Sequence, residues 1–179
     1  AVANQDYAWG RESWEIFSTA LKAMKPDVQV VAELFPKFGS PDYSTEVSRL
    51  LALRPDVVFT TSWGGDLDTL VRQSGQRGLL QQSTFILAIG ESSIQRLGKD
   101  LPEGLIVGAR GDHWFLHPEK KGDAAFKAFN EAFKAKTGAW PIYPVYHMAQ
   151  AFTALQTVYD KAIKANGGNW PTREQVVDA

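Results

Sequence analysis

Ser62-Trp63-Gly64-Gly65-Asp66 is the segment whose residue types best suit contact with a small molecule. Trp63 offers a broad apolar face, Ser62 a hydroxyl, and Gly64 and Gly65 unhindered backbone amides. Burying roughly 100 Å² of such a ring against a ligand contributes about 2.5 kcal/mol. Asp66 reads as the N-cap of the helix that follows, which carries Leu67, Leu70 and Val71 on one face. Trp9 stands at a similar strand-to-helix junction, with Gly10 behind it to permit close backbone approach. Chemistry beyond binding has little support. Asp112, His113 and His117 suggest a metal, but Pro118 and the bulky Trp114-Phe115-Leu116 favour an extended or turning segment. In such a segment, i and i+4 imidazoles do not share a face, so no metal site is expected. His147 stands alone on a helix and reads as packed or hydrogen-bonded, and the phenylalanines at 126, 129 and 133 follow helical spacing and read as core. There is no G-x-S-x-G, P-loop or G-x-G-x-x-G pattern, so neither an enzyme nor a cofactor is expected.

These residues need elements to hold them. Val57 to Thr61 is a β-branched and aromatic run typical of a strand buried on both faces. In an open parallel sheet, ligands bind just beyond the carboxyl ends of such strands. Val2-Ala3, Val28 to Phe35, Phe85 to Ile89 and Leu105 to Val107 read as the other strands. Between them, helices are expected from about Arg11 to Met24, from Asp42 or Ser44 to Leu53, from Asp66 to Gly75 or Gly78, and near Ser92 to Leu97. Repeated β-α units of this length predict an α/β fold with a parallel, Rossmann-like sheet covered on both faces. From about Asp112 the pattern becomes helical, with a helix holding Phe126, Phe129 and Phe133, another from about Val145 to Ala165, and a T-x-x-Q capping box at Thr172 and Gln175.

Composition narrows the partners. A net charge of -1 from 19 basic and 20 acidic residues gives no electrostatic case for nucleic acid or an anionic membrane. No apolar run approaches the ~20 residues needed to span a bilayer. The absence of cysteine excludes disulfides, thiolate catalysis and Cys-based zinc sites. The chain starts in what reads as a strand and stops in what reads as a helix, so a fragment of a larger protein is expected.

The order of motifs resembles the type I periplasmic solute-binding proteins of ABC transporters, in the leucine/isoleucine/valine-binding branch. The matching pieces are Asp6-Tyr7-Ala8-Trp9-Gly10, Gly39-Ser40-Pro41-Asp42-Tyr43-Ser44, Pro55-Asp56-Val57-Val58 and Ser62-Trp63-Gly64-Gly65-Asp66. They continue through Gln73 with Gly78-Leu79, Gly90-Glu91, Glu103-Gly104-Leu105, and Phe129 to Gly138 followed by Pro141. The resemblance implies two lobes with a ligand cleft between them. On that template residues 1–109 are the carboxyl-side lobe, and residues 110–179 are an interlobe crossing and helices that pack on an amino-side lobe absent here. Gly108 and Gly111 would lie at the crossing, where backbone rotation can act as a hinge.

The resemblance also implies roles. Trp9, and with less support Tyr7, would place rings against the ligand; the alternatives are packing over the helix start or pointing away. Trp63 would be an apolar contact, flanked by Ser62 and the Gly64 amide. Glu91 would pair with a ligand's α-ammonium, its alternatives being a helix cap or a solvent-facing charge. Tyr143 or Tyr146 would supply an aromatic side chain from the opposite side, with core packing as the alternative. The implied partners are a small-molecule solute and ABC permease subunits, in the periplasm. The implied ligand is a branched-chain or other hydrophobic amino acid, or else an aromatic or aliphatic carboxylic acid; a sensor or regulator is the other use of the fold. Uncovered apolar helix faces also lead to an expectation of self-association of the fragment.

Overall fold

The computed structural model describes residues 1–111, 113–114 and 123–179. They divide into two units, Ala1–Arg110 and Gly111–Ala179. The first unit alternates strand and helix: β1 (Val2–Ala3), α1 (Ala8–Met24), β2 (Glu33–Leu34), α2 (Ser44–Leu53), β3 (Val57–Thr60), α3 (Gly64–Gln76), α4 (Leu79–Gln82), β4 (Thr84–Leu87), α5 (Ile94–Leu97) and β5 (Ile106–Val107). All five strands are parallel, in the order β2-β1-β3-β4-β5. The chain therefore winds one way from β1 to β2 and the other way from β3 onward. With right-handed crossovers, those two directions must put their helices on opposite faces. So they do. On one face Trp14 and Phe17 of α1 pack on Val2 and Phe59, the Phe17 and Phe59 rings stacking at 4.0 Å. The other face carries the larger core, in which Leu50, Leu67, Leu70, Leu79, Phe85 and Leu97 close over Val58.

The predicted strands and helices form, with shifted ends. β2 is two residues long where Val28 to Phe35 was expected. It is an edge strand, and among the described residues its only neighbour is β1: the carbonyls of Ala32, Leu34 and Pro36 accept from the amides of Val2, Asn4 and Asp6. Residues before Ala32 thus have no ladder to extend. α1 begins at Ala8 rather than Arg11, which brings Trp9 into its first turn.

The second unit contains α6 (Ala124–Thr137), α7 (Tyr143–Ala165) and α8 (Arg173–Val177). Asp123 caps α6 by accepting from the Phe126 amide, and the expected Thr172–Gln175 capping box opens α8. Phe126 stacks on Tyr146 at 5.5 Å, and the Tyr146 hydroxyl donates to Asn130 Oδ1 at 2.7 Å. Phe126, Phe129 and Phe133 are only partly buried, not the full core expected from their spacing. The apolar stripe of α7 continues past this contact, leaving Met148, Phe152 and Leu155 more than half exposed. No helix among the described residues is long and apolar enough to cross a membrane.

Candidate functional site

The carboxyl ends of β1 and β3 lie side by side where the sheet order reverses, the position at which open α/β sheets bind ligands. Asn4, fully buried just beyond β1, joins the two ends. Its Nδ2 donates to the Gly10 carbonyl at 2.6 Å, and its Oδ1 accepts from the Thr61 amide at 2.8 Å. Gly10 has to be glycine, because a methyl there would collide with the Gln5 carbonyl. Asp66 makes a second tie. Its Oδ2 accepts from Gln5 Nε2 and from the Gly39 amide, each at 2.8 Å.

Asp66 therefore does not cap α3, contrary to the sequence reading. The helix begins two residues earlier at Gly64, so Asp66 falls in its first turn and faces the neighbouring loops. Burial, with the Asp66 carboxylate alongside, also pushes the Tyr43 phenol above its ordinary range. The residues at the cap positions are Tyr7 for α1 and Trp63 for α3, and neither supplies a side-chain hydrogen bond to its helix. Ser, Thr, Asp or Asn would normally occupy those positions, so stabilisation of the helix is forgone at both. Rings are placed at the rim instead, beside the positive ends of a 17-residue and a 13-residue helix.

The rings form a cluster. Trp63 Nε1 donates to the Tyr7 hydroxyl at 2.9 Å. Phe38, from the connection between β2 and α2, lies edge-on to Tyr7 at 5.5 Å and 5.7 Å from Trp63. Phe38 and Trp63 stay substantially open to solvent, as does Trp9 in the adjoining first turn of α1. Ser62 and Thr61 are buried directly beneath, and neither hydroxyl has a partner among the described residues. Gly64 takes a left-handed φ of 61° with open space where a side chain would be, so its backbone is accessible.

Beyond β4 the chain makes a single 3-10 turn, Gly90–Ser92, that carries Glu91. Its carboxylate is 1% exposed and faces Arg110 beyond β5, with Arg110 Nε 3.6 Å from Glu91 Oε1. That is an ion pair but too long for a hydrogen bond, and both Glu91 oxygens lack a hydrogen-bond donor among the described residues. Burial pushes the Glu91 carboxyl above its ordinary range, and Arg110 offsets this only in part. Ser93 stands at the cap position of α5, but its hydroxyl accepts from Arg96 at 3.0 Å and makes no bond to the helix backbone.

The sequence reading thus finds Tyr7, Ser62, Trp63 and Gly64 together at one sheet edge, with Trp9 one step along α1. It missed Asn4, Gln5 and Phe38. The turn residues Pro36 and Gly39 on either side of it, one strand over from the reversal, were the sequence signal for Phe38. Tyr143 and Tyr146 belong to the second unit. Tyr143 is partly buried and edge-on to His147 at 5.3 Å. Tyr146 is interior, its hydroxyl bonded to Asn130. His113 is buried, and Asp112 and His117 lie outside the described residues.

A parallel sheet with a ligand edge of this kind is the architecture of a type I periplasmic binding protein. The chain belongs to the periplasmic binding protein family, whose model matches residues 1–179. It is 28% identical over 141 residues to Leu/Ile/Val-binding protein homolog 4 of Brucella abortus (strain 2308), a match covering 78% of this chain and 32% of that protein. Its fold is similar to an amino acid ABC transporter substrate-binding protein from Pseudomonas fluorescens Pf-5, at 21% identity and a TM-score of 0.66, covering 98% of this chain and 43% of that one. It is also similar to an ABC transporter solute-binding protein from R. palustris in complex with benzoate, at 20% identity and a TM-score of 0.70, covering 99% of this chain and 46% of that one. The chain spans about a third of the length of the curated relatives it matches. The relatives are solute-binding proteins of ABC transporters, not enzymes.

Proposed function

We propose that this chain supplies one wall of an interlobe cleft that captures a hydrophobic amino acid, branched-chain ones foremost, for delivery to an ABC permease from the periplasm. In this reading residues 1–109 are the carboxyl-side lobe, and residues 110–179 are the crossing and the helices belonging to the other lobe. The observation that carries the amino-acid reading is Glu91, a buried carboxylate whose oxygens lack hydrogen-bond donors among the described residues. Such a group is costly to keep unless something supplies those bonds, and a ligand ammonium does. Tyr7, Trp9 and Trp63 receive the apolar side chain, and the uncapped starts of α1 and α3, with the Ser62 hydroxyl and the Gly64 amide, favour an anionic group. The relatives' own names speak of leucine, isoleucine and valine.

A second reading has its own support. Glu91 already faces Arg110, and a solute without an ammonium leaves that pair intact; one structural neighbour holds benzoate. Calorimetry on the full-length protein against aliphatic amino acids and aromatic acids separates the two. Binding of leucine but not benzoate supports the first reading, and the reverse supports the second. No binding of either class would overturn both. In the same assay Trp63→Ala is expected to weaken the bound ligand about tenfold, since the lost ring contact is of order 1–2.5 kcal/mol. An unchanged affinity would remove Trp63 from the site.

The same reading makes the half-exposed Met148, Phe152 and Leu155 of α7 surfaces meant for cover. The 179-residue chain on its own is therefore expected to self-associate. Light scattering checks this, and a monodisperse monomer counts against it.

A further inference from the structure

We propose that Phe38 is a specificity-determining residue of the solute site, a third ring that favours ligands with a large apolar group over those with a small one. This rests on the solute-binding reading above. Phe38, Tyr7 and Trp63 follow β2, β1 and β3 respectively, three neighbours in the sheet, so their rings meet at one corner of its carboxyl edge. Tyr7 and Trp63 are already joined by the 2.9 Å hydrogen bond, which fixes their polar tips on each other and leaves their faces for apolar contact.

Phe38 is 49% exposed although its backbone is held firmly. The Gly39 amide donates to Asp66, the Asp6 amide to the Pro36 carbonyl at 2.8 Å, and the Ser40 amide to the Lys37 carbonyl at 3.1 Å. Gly39 takes the left-handed φ of 76° that turns the chain immediately after the ring. An apolar side chain fixed in a half-open position beside two other rings has no core of its own to enter. A ligand of sufficient size covers it, as the walls of binding pockets are covered. A group small enough to rest on one ring gains less from Phe38 than one large enough to cover all three.

The test is calorimetry on the full-length protein with L-alanine, L-leucine, L-phenylalanine and benzoate. Phe38→Ala is expected to weaken the largest ligand that binds by about tenfold while changing the smallest by less than about twofold. Phe38→Leu, which keeps apolar bulk but removes the ring, is expected to retain leucine affinity and still lose affinity for the aromatic ligands. Thermal melting of both variants is expected to match the unaltered protein, because the ring is not part of either core cluster. An equal loss for every ligand, or no loss for any, overturns the proposal and leaves the solute-binding reading standing. Failure of the unaltered protein to bind any of the four overturns both.

Discussion

Glu91→Gln is expected to raise the melting temperature at neutral pH and, at the same time, to abolish most affinity for an amino-acid ligand. The two effects have one cause. Burial holds the Glu91 carboxyl above its ordinary value of 4.5 even with Arg110 beside it. The folded chain therefore binds more protons than the unfolded chain between that ordinary value and the raised one. Stability falls as pH rises through this window, and the cost persists in full above it. Glutamine removes the charge with little change of shape, and its side-chain carbonyl oxygen still faces the buried Arg110 Nε. A gain of about 1 kcal/mol, or about 3 °C, is expected at neutral pH, and it should vanish in acid where Glu91 is already protonated. A ligand ammonium, in contrast, needs the ionised carboxylate. Truncating one partner of a buried charged pair typically costs 2–5 kcal/mol, so amino-acid affinity is expected to fall about 100-fold or more. For the unaltered protein, affinity should weaken as pH drops through the raised value, because the proton competes with the ammonium. Melting curves at pH 4 and 7.5, with calorimetry at both, test all of this. A variant that melts lower and binds leucine normally would remove Glu91 from the site.

Asn4→Ala is expected to be the most damaging single change to the first unit. It deletes two hydrogen bonds at once and leaves the buried Thr61 amide without its acceptor. A buried unsatisfied donor costs about 1–3 kcal/mol beyond the bonds themselves, so a loss of about 3 kcal/mol is expected, lowering the melting temperature by about 10 °C. Asn4→Asp keeps the acceptor for Thr61 but points a carboxylate at the Gly10 carbonyl. It should be worse than alanine at neutral pH and recover in acid, when the protonated carboxyl can donate again. A pH-independent Asn4→Asp melting curve would show that the Gly10 bond contributes nothing.

How far the sequence could be read follows from where its information is local. β3 and β4 were legible because each is a contiguous apolar run with turn residues on both sides. β2 was overestimated because periodicity cannot say that an edge strand has only one partner. Asp66 was misread for a related reason. An aspartate after two glycines looks like a cap, but α3 starts on the glycines themselves, and the acceptor is taken by Gln5 and Gly39 from distant parts of the chain. Phe38 carried no pattern, since loop residues have no period. Its place beside Tyr7 and Trp63 depends on a sheet order that brings the ends of β2, β1 and β3 together. The phenylalanines of α6 show the opposite error: their helical spacing was real, but the helix packs on too little to bury them fully.

Asn4 and Asp66 hold backbone groups and the Gln5 amide, and neither bonds to any of the three rings above them. Frame and rings are thus chemically separate in the first unit. Substitutions at Tyr7, Phe38 or Trp63 leave every tie beneath them in place, so under the solute-binding proposal the ligand repertoire can drift one ring at a time while the scaffold stays the same. If the solute-binding reading holds, a redesigned sensor for a new small molecule would begin at these three positions.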